Sequence, residues 1–125
     1  DVTARPGLGL LDAIGFRVPD VAAAVAFYRG VLGAVVIEDG GAERSRLRLA
    51  NVDIVLERGV AAGGAEPVFR SQDIRALRTY LLGQGATVVR DLAEVPGGLT
   101  LAFADPGGNV LGAIQYGTSL AEGGA

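Results

Sequence analysis

Apolar and polar positions along the chain follow two alternating regimes, and the pair of regimes occurs twice. A period-two stretch over about Asp12–Val18 gives way to a helical period that puts Val21, Val25, Tyr28 and Leu32 on one stripe. A second period-two stretch over about Glu66–Arg70 leads into a helical period with Ile74, Leu77 and Leu81 on a stripe and Tyr80 beside it. Asp20 and Asp73 stand where a side chain can cap the first free helical amides, and Gly33 and Gly85 where helices favour a stop. After each helix the period returns to two. Arg44–Leu49 alternates and Val52–Glu57 supplies a second hairpin arm, while Thr87–Arg90, Leu99–Ala104 and Val110–Tyr116 read as strands in the later half. Asp105-Pro106-Gly107-Gly108-Asn109 reads as a turn, because Pro presets φ and Gly tolerates positive φ.

The two halves are copies. Phe16-Arg17-Val18-Pro19-Asp20-Val21 recurs as Phe69-Arg70-Ser71-Gln72-Asp73-Ile74 at an offset of 53, and Gly33-Ala34 recurs as Gly85-Ala86 at an offset of 52. The pattern predicts a βαβββ module used twice, over about 11–59 and 65–116, with residues 1–9 and 117–125 as loose ends.

Composition narrows the chemistry. At 125 residues the chain fits one domain over 1–125, and half its residues are apolar, enough for a real core. No apolar run reaches the ~18 residues of a membrane span, so a soluble, cytoplasmic protein is expected. A net charge of −3 gives no reason to expect a nucleic-acid partner. The sequence has neither Cys nor His, so imidazole and thiolate devices are excluded and Asp, Glu, Arg, Tyr and hydroxyls remain. All the basic residues are Arg, which with so much Ala, Gly and Val reads as coding bias.

Asp12-Ala13-Ile14-Gly15-Phe16-Arg17-Val18-Pro19-Asp20, Phe27-Tyr28 running on to Leu32-Gly33, and Asp105-Pro106-Gly107-Gly108-Asn109 together resemble the glyoxalase/bleomycin-resistance/extradiol dioxygenase (vicinal oxygen chelate) superfamily over about residues 11–116. The resemblance implies an α+β fold in which two βαβββ modules form a β-cup. It also implies a site: enzymatic members carry one metal ligand, commonly His or Glu, on the inner face of each of four strands. Those positions fall here on Ala13, Ile54 (or Asp53, one residue away), Glu66 and Gly112. So poor a donor set is expected to hold no metal, and no cofactor is expected.

Strand alternation extends the inner face from these positions. Ala13 brings Gly15 and Arg17 with it, Glu66 brings Val68 and Arg70, and Gly112 brings Val110 and Ile114. Leu47 and Leu49 are needed on the helix side, which turns Arg44, Arg46 and Arg48 inward or to a dimer surface. Arg17 and Arg70, related by the repeat, can recognise a carboxylate or phosphate, or can pair with Glu66, Asp53 or Glu57 instead. Tyr28 and Tyr80 read as helix-packing residues, Phe103 as core, and Tyr116 as a possible rim residue. The favoured expectation is a metal-independent binder that sequesters a small organic ligand, such as an antibiotic or an anionic metabolite, as a homodimer that covers exposed strand edges. A metal-free isomerase, lyase or cyclase with Glu66 as acid/base is the alternative. A non-catalytic scaffold with a filled cup is the third.

Overall fold

In a computed structural model, which describes residues 6–61, 63–64 and 66–121, the chain forms two four-stranded sheets, each carrying one helix. The first module contains β1 (Ile14–Val18), α1 (Val21–Gly30), β2 (Val35–Asp39), β3 (Arg44–Leu49) and β4 (Val52–Arg58). The second contains β5 (Val68–Arg70), α2 (Ile74–Gly83), β6 (Thr87–Val95), β7 (Gly98–Ala104) and β8 (Val110–Tyr116). The sheet orders are β1-β4-β3-β2 and β5-β8-β7-β6, the same topology twice. This is the α+β arrangement of two βαβββ modules that the repeat predicts. The expected module boundary at residue 65 and the outermost parts of the 1–125 span lie outside the described residues.

Local chemistry sets the helix ends. Asp20 Oδ1 accepts the Ala23 amide at 3.0 Å and Asp73 Oδ1 accepts the Ala76 amide at 3.1 Å, so both predicted caps form. Gly33 and Gly85 share φ +79°, a left-handed conformation that a side chain would strain. Each helix lays its apolar stripe on its sheet, and the stripes of both modules join in one core. Fully buried Val18, Tyr28, Leu47, Ile54 and Leu56 meet Ile74, Leu81, Leu99 and Leu111 there. Burying each large aliphatic side chain contributes about 1.5–3 kcal/mol.

Polar bonds fix how the modules meet. Asp105, 5% exposed, opens the turn between β7 and β8. Its Oδ1 accepts the amides of Gly107 and Asn109, both at 2.9 Å, and its Oδ2 accepts Asn109 Nδ2 at 3.0 Å and the Tyr28 hydroxyl of α1 at 2.9 Å. Asn109 Nδ2 also reaches the Arg17 carbonyl of β1 at 3.0 Å. Burial, then the Asp105 charge and the hydrogen bond to it, push the Tyr28 hydroxyl up, so it stays a protonated donor. Tyr80 of α2 donates to the Val31 carbonyl at 2.6 Å.

One expectation is corrected at the C-terminal end. The stretch from Gly117 was expected to be loose, yet Arg75 of α2 donates to the carbonyl of Ser119 at 2.8 Å and that of Leu120 at 3.3 Å. The Leu120 amide donates to Glu94 of β6 at 3.0 Å. A guanidinium and a carboxylate one element apart thus hold a segment whose own sequence carries no strand or helix signal. Residues 1–5 and 122–125 of the expected loose ends lie outside the described residues.

Tyr28→Phe keeps the ring and deletes the bond to Asp105. It should lower unfolding free energy by about 1.5–3 kcal/mol, the range for a buried hydrogen bond to a charge. Urea titration measures this, and an unchanged midpoint would show that Asp105 does not need the α1 donor.

Candidate functional site

Strand pairing assigns each side chain to a face. β1 and β4 run parallel with Ile14 opposite Ile54, Gly15 opposite Val55 and Arg17 opposite Glu57, and residues in register share a face. β3 and β4 run antiparallel with Arg46 opposite Val55 and Arg48 opposite Asp53. The face away from α1 therefore carries Gly15, Arg17, Arg44, Arg46, Arg48, Asp53, Val55 and Glu57. Ile54 lies on the other face, fully buried in the core. The assignment of Ile54 to the ligand-facing side is thus corrected, and its neighbour Asp53 takes that place.

Asp53 is not free. Arg46 Nε donates to its Oδ2 at 2.7 Å and Arg48 Nε donates to its Oδ1. Arg46 continues to Asp12, through Nη1 to Oδ2 at 3.3 Å and through Nη2 to the carbonyl at 3.1 Å. The hydrogen bonds from Arg48 and then Arg46 hold the Asp53 carboxyl below the usual carboxylate value. A hollow of about 440 Å³ opens here, lined by Leu11, Asp12, Arg46, Arg48, Asn51 and Asp53 among others. Ala13, half-buried, precedes β1 on this side.

The second module repeats the plan. Val68 lies opposite Gly112 and Arg70 opposite Ile114, with Ala102 and Thr100 of β7 completing the rows. Glu66, half-buried ahead of β5, accepts a hydrogen bond on Oε1 from Arg90 Nη2. Its Oε2 stands 2.8 Å from where a Cβ on Gly112 would lie, so the glycine leaves room for that carboxylate. A hollow of about 300 Å³ holds Glu66, Arg90, Phe16 and Val110. Val68 is 54% exposed, Val110 and Ile114 are half-buried, and the Arg70 guanidinium lies 5.5 Å from the centre of the Tyr116 ring. Arg17 and Arg70 do not act as one pair: Arg70 stacks on Tyr116, and Arg17 joins no ion pair among the described residues.

Arg90 is a site residue that the sequence reading missed. It reaches the open face through a bulge: the pairing of β6 with β7 shifts between Val88 and Arg90, as the pairing of β2 with β3 shifts between Val36 and Glu38. An added residue reverses the alternation beyond it. The bulged residues Ile37 and Val89 are separated by 52, the offset of the Gly-Ala pairs, so the repeat itself carried the signal.

Could these residues hold a metal ion? At the four positions discussed stand two carbon-only residues, Ala13 and Gly112, and two carboxylates already engaged by arginine. Among the described residues no group of three or more Asp and Glu converges as cation ligands would. The set does not fit a chelated transition ion.

Two paired modules with charged and small residues on their open faces define a β-cup protein. The chain belongs to the Glyoxalase/Bleomycin resistance protein/Dioxygenase superfamily, whose family model matches residues 10–112. Solved structures share the fold at low identity. A superfamily member from Sphaerobacter thermophilus superposes with TM-score 0.74 at 18% identity, over 86% of this chain and 98% of that one. The fosfomycin resistance protein FosX from Listeria monocytogenes gives 0.73 at 17%, over 93% and 96%. Lactoylglutathione lyase from Agrobacterium tumefaciens gives 0.71 at 16%, over 88% and 96%. No curated protein matches the chain.

A depressed carboxylate stabilises the fold while it is ionised. The contribution of Asp53 should be complete above its ordinary value of 3.8 and lost as pH falls below it. Asp53→Asn should therefore be less stable than the parent at neutral pH, with the gap closing in acid. Thermal unfolding from pH 7 to pH 2.5 checks this; a gap that is constant with pH would mean that the clamp is not electrostatic.

Proposed function

We propose that the chain works as one domain, a metal-independent binding protein that holds a small anionic organic molecule against the open faces of its sheets. The observation that carries this reading is the fate of the two inward carboxylates: Asp53 lies between Arg46 and Arg48, and Glu66 accepts from Arg90. A carboxylate neutralised in this way neither draws a cation nor repels an anion. Arg48 keeps its two terminal nitrogens for a ligand, since only its Nε is used, and Arg17 has no acidic partner among the described residues. Fork-shaped donors of this kind recognise carboxylate or phosphate in two-point fashion. Gly15 leaves room on its face, with nothing within 4 Å of where a Cβ would stand.

The same reading includes a homodimer. Asp53 and Glu66 line two separate hollows, and pairing two chains would cover the exposed strand edges of the sheets. That one structural neighbour is a fosfomycin resistance protein supports a small anionic antibiotic as one ligand class to try.

A second reading has its own observation. Arg90 engages only Oε1 of Glu66, which leaves Oε2 beside Gly112 able to take a proton from a bound molecule. On that reading the protein is a metal-free isomerase, lyase or cyclase.

Calorimetric titration with small phosphonates, phosphate monoesters and carboxylates separates these readings. A binder gives saturable binding that weakens with salt and falls about tenfold, or ~1.4 kcal/mol, in Arg48→Gln or Arg17→Gln. Glu66→Gln should leave that binding intact. Turnover of the ligand that disappears in Glu66→Gln would establish the enzyme instead, and no response to any anion would overturn both.

A further inference from the structure

The repeat predicts two equivalent spaces where a hairpin turn of one module meets the first strand and helix of the other. The structure fills one and leaves one open. On the filled side, the five-residue turn Asp105–Asn109 closes on β1 and α1. A Cβ on Gly107 would lie 2.8 Å from Val18, and Asp105 and Asn109 bond to Tyr28 and Arg17 as described above. On the other side, the equivalent turn between β3 and β4 is only Ala50-Asn51. By the offset of 53, Ser71 stands where Val18 stands and Leu81 where Tyr28 stands, so both a bulky residue and a hydroxyl are missing.

What remains is a groove of about 230 Å³ walled by Leu32, Leu49, Phe69, Leu77, Phe103 and Leu111. Most of these side chains belong to the core or pack on it, so the groove opens on the helix side of the sheets. Arg70 and Gly112, from the open-face rows of β5 and β8, also line it, so at this end the groove adjoins the open face of the second sheet. A charge buried among such walls would be costly, so the occupant's inner end is apolar. Its outer end is set by Arg70, which stands on the rim of this groove and of the adjoining hollow of Ser71, Gln72, Gln115 and Tyr116. Arg70 has an aromatic neighbour but no carboxylate partner among the described residues.

We propose that this groove is a second small-molecule site, selective for an amphipathic monoanion, with a short aliphatic chain between the modules and a carboxylate at Arg70. A preformed apolar cleft with one charged group at its mouth has the composition of a ligand pocket, and chain length and head group would set its selectivity.

Octanoate is the probe, followed by calorimetry and by chemical-shift changes at the Leu77 and Leu111 methyls. One saturable response at the Leu77 and Leu111 methyls is expected from octanoate and none there from acetate, whatever heat carboxylates give at the open faces. Arg70→Gln should weaken octanoate about tenfold or more while changing octanol little. Leu77→Trp should abolish both by filling the groove; if it does not fold, Ser71→Phe blocks the same entrance. Arg78→Gln, which touches only the surface pair with Asp91, should bind as the parent does. The proposal fails if octanoate gives no saturable binding, or if binding survives both Arg70→Gln and the groove-filling variant. It also fails if a second copy of the chain fills the groove, seen as a dimer that Leu77→Trp dissociates and octanoate does not.

Discussion

The arrangement of this molecule depends on one buried carboxylate. Asp105 is almost wholly removed from water, and an ion there is tolerable only because four donors surround it. Three come from its own turn and one from the helix of the other module. That division of labour shapes the turn and joins the modules at the same atom. With the turn held against β1 and α1, the two sheets are fixed relative to each other, and their open faces acquire a constant geometry.

On those faces the same economy recurs at the surface. Asp53 accepts from Arg46 and Arg48, and Glu66 accepts from Arg90. Surface ion pairs contribute little to stability. Their consequence here is chemical: each carboxylate is paired with arginine, and Arg48 uses only its Nε in that pair. Asymmetry between the modules adds a second element. A five-residue turn fills one inter-module space, and a two-residue turn leaves its counterpart open and apolar.

Much of this was legible in the residues. The duplicated period, both aspartate caps, both glycine stops and the tight turn at 105–109 follow from local rules, and local rules hold because each acts within a few residues. The face of the fourth strand was harder. Ile54-Val55-Leu56 is a continuous apolar run, so alternation alone does not say which residue turns inward. Pairing decides it, because a two-residue turn at Ala50-Asn51 forces Arg48 opposite Asp53. Arg90 was hidden by a bulge that reverses alternation in β6, although its twin in β2 lies one repeat earlier. The anchoring of residues 118–120 by Arg75 and Glu94 could not be read at all, since it joins side chains to backbone across long sequence separations.

The claim on which the functional account rests is that the inward carboxylates are committed to arginine and not available to a cation. Elemental analysis of protein purified from medium containing manganese, iron, nickel and zinc, and then titrated with each ion by calorimetry, addresses it most directly. The account predicts no stoichiometric metal and no saturable heat from any of the four. One equivalent of a transition ion per chain, lost when both Asp53 and Glu66 are changed to the amides, would contradict it.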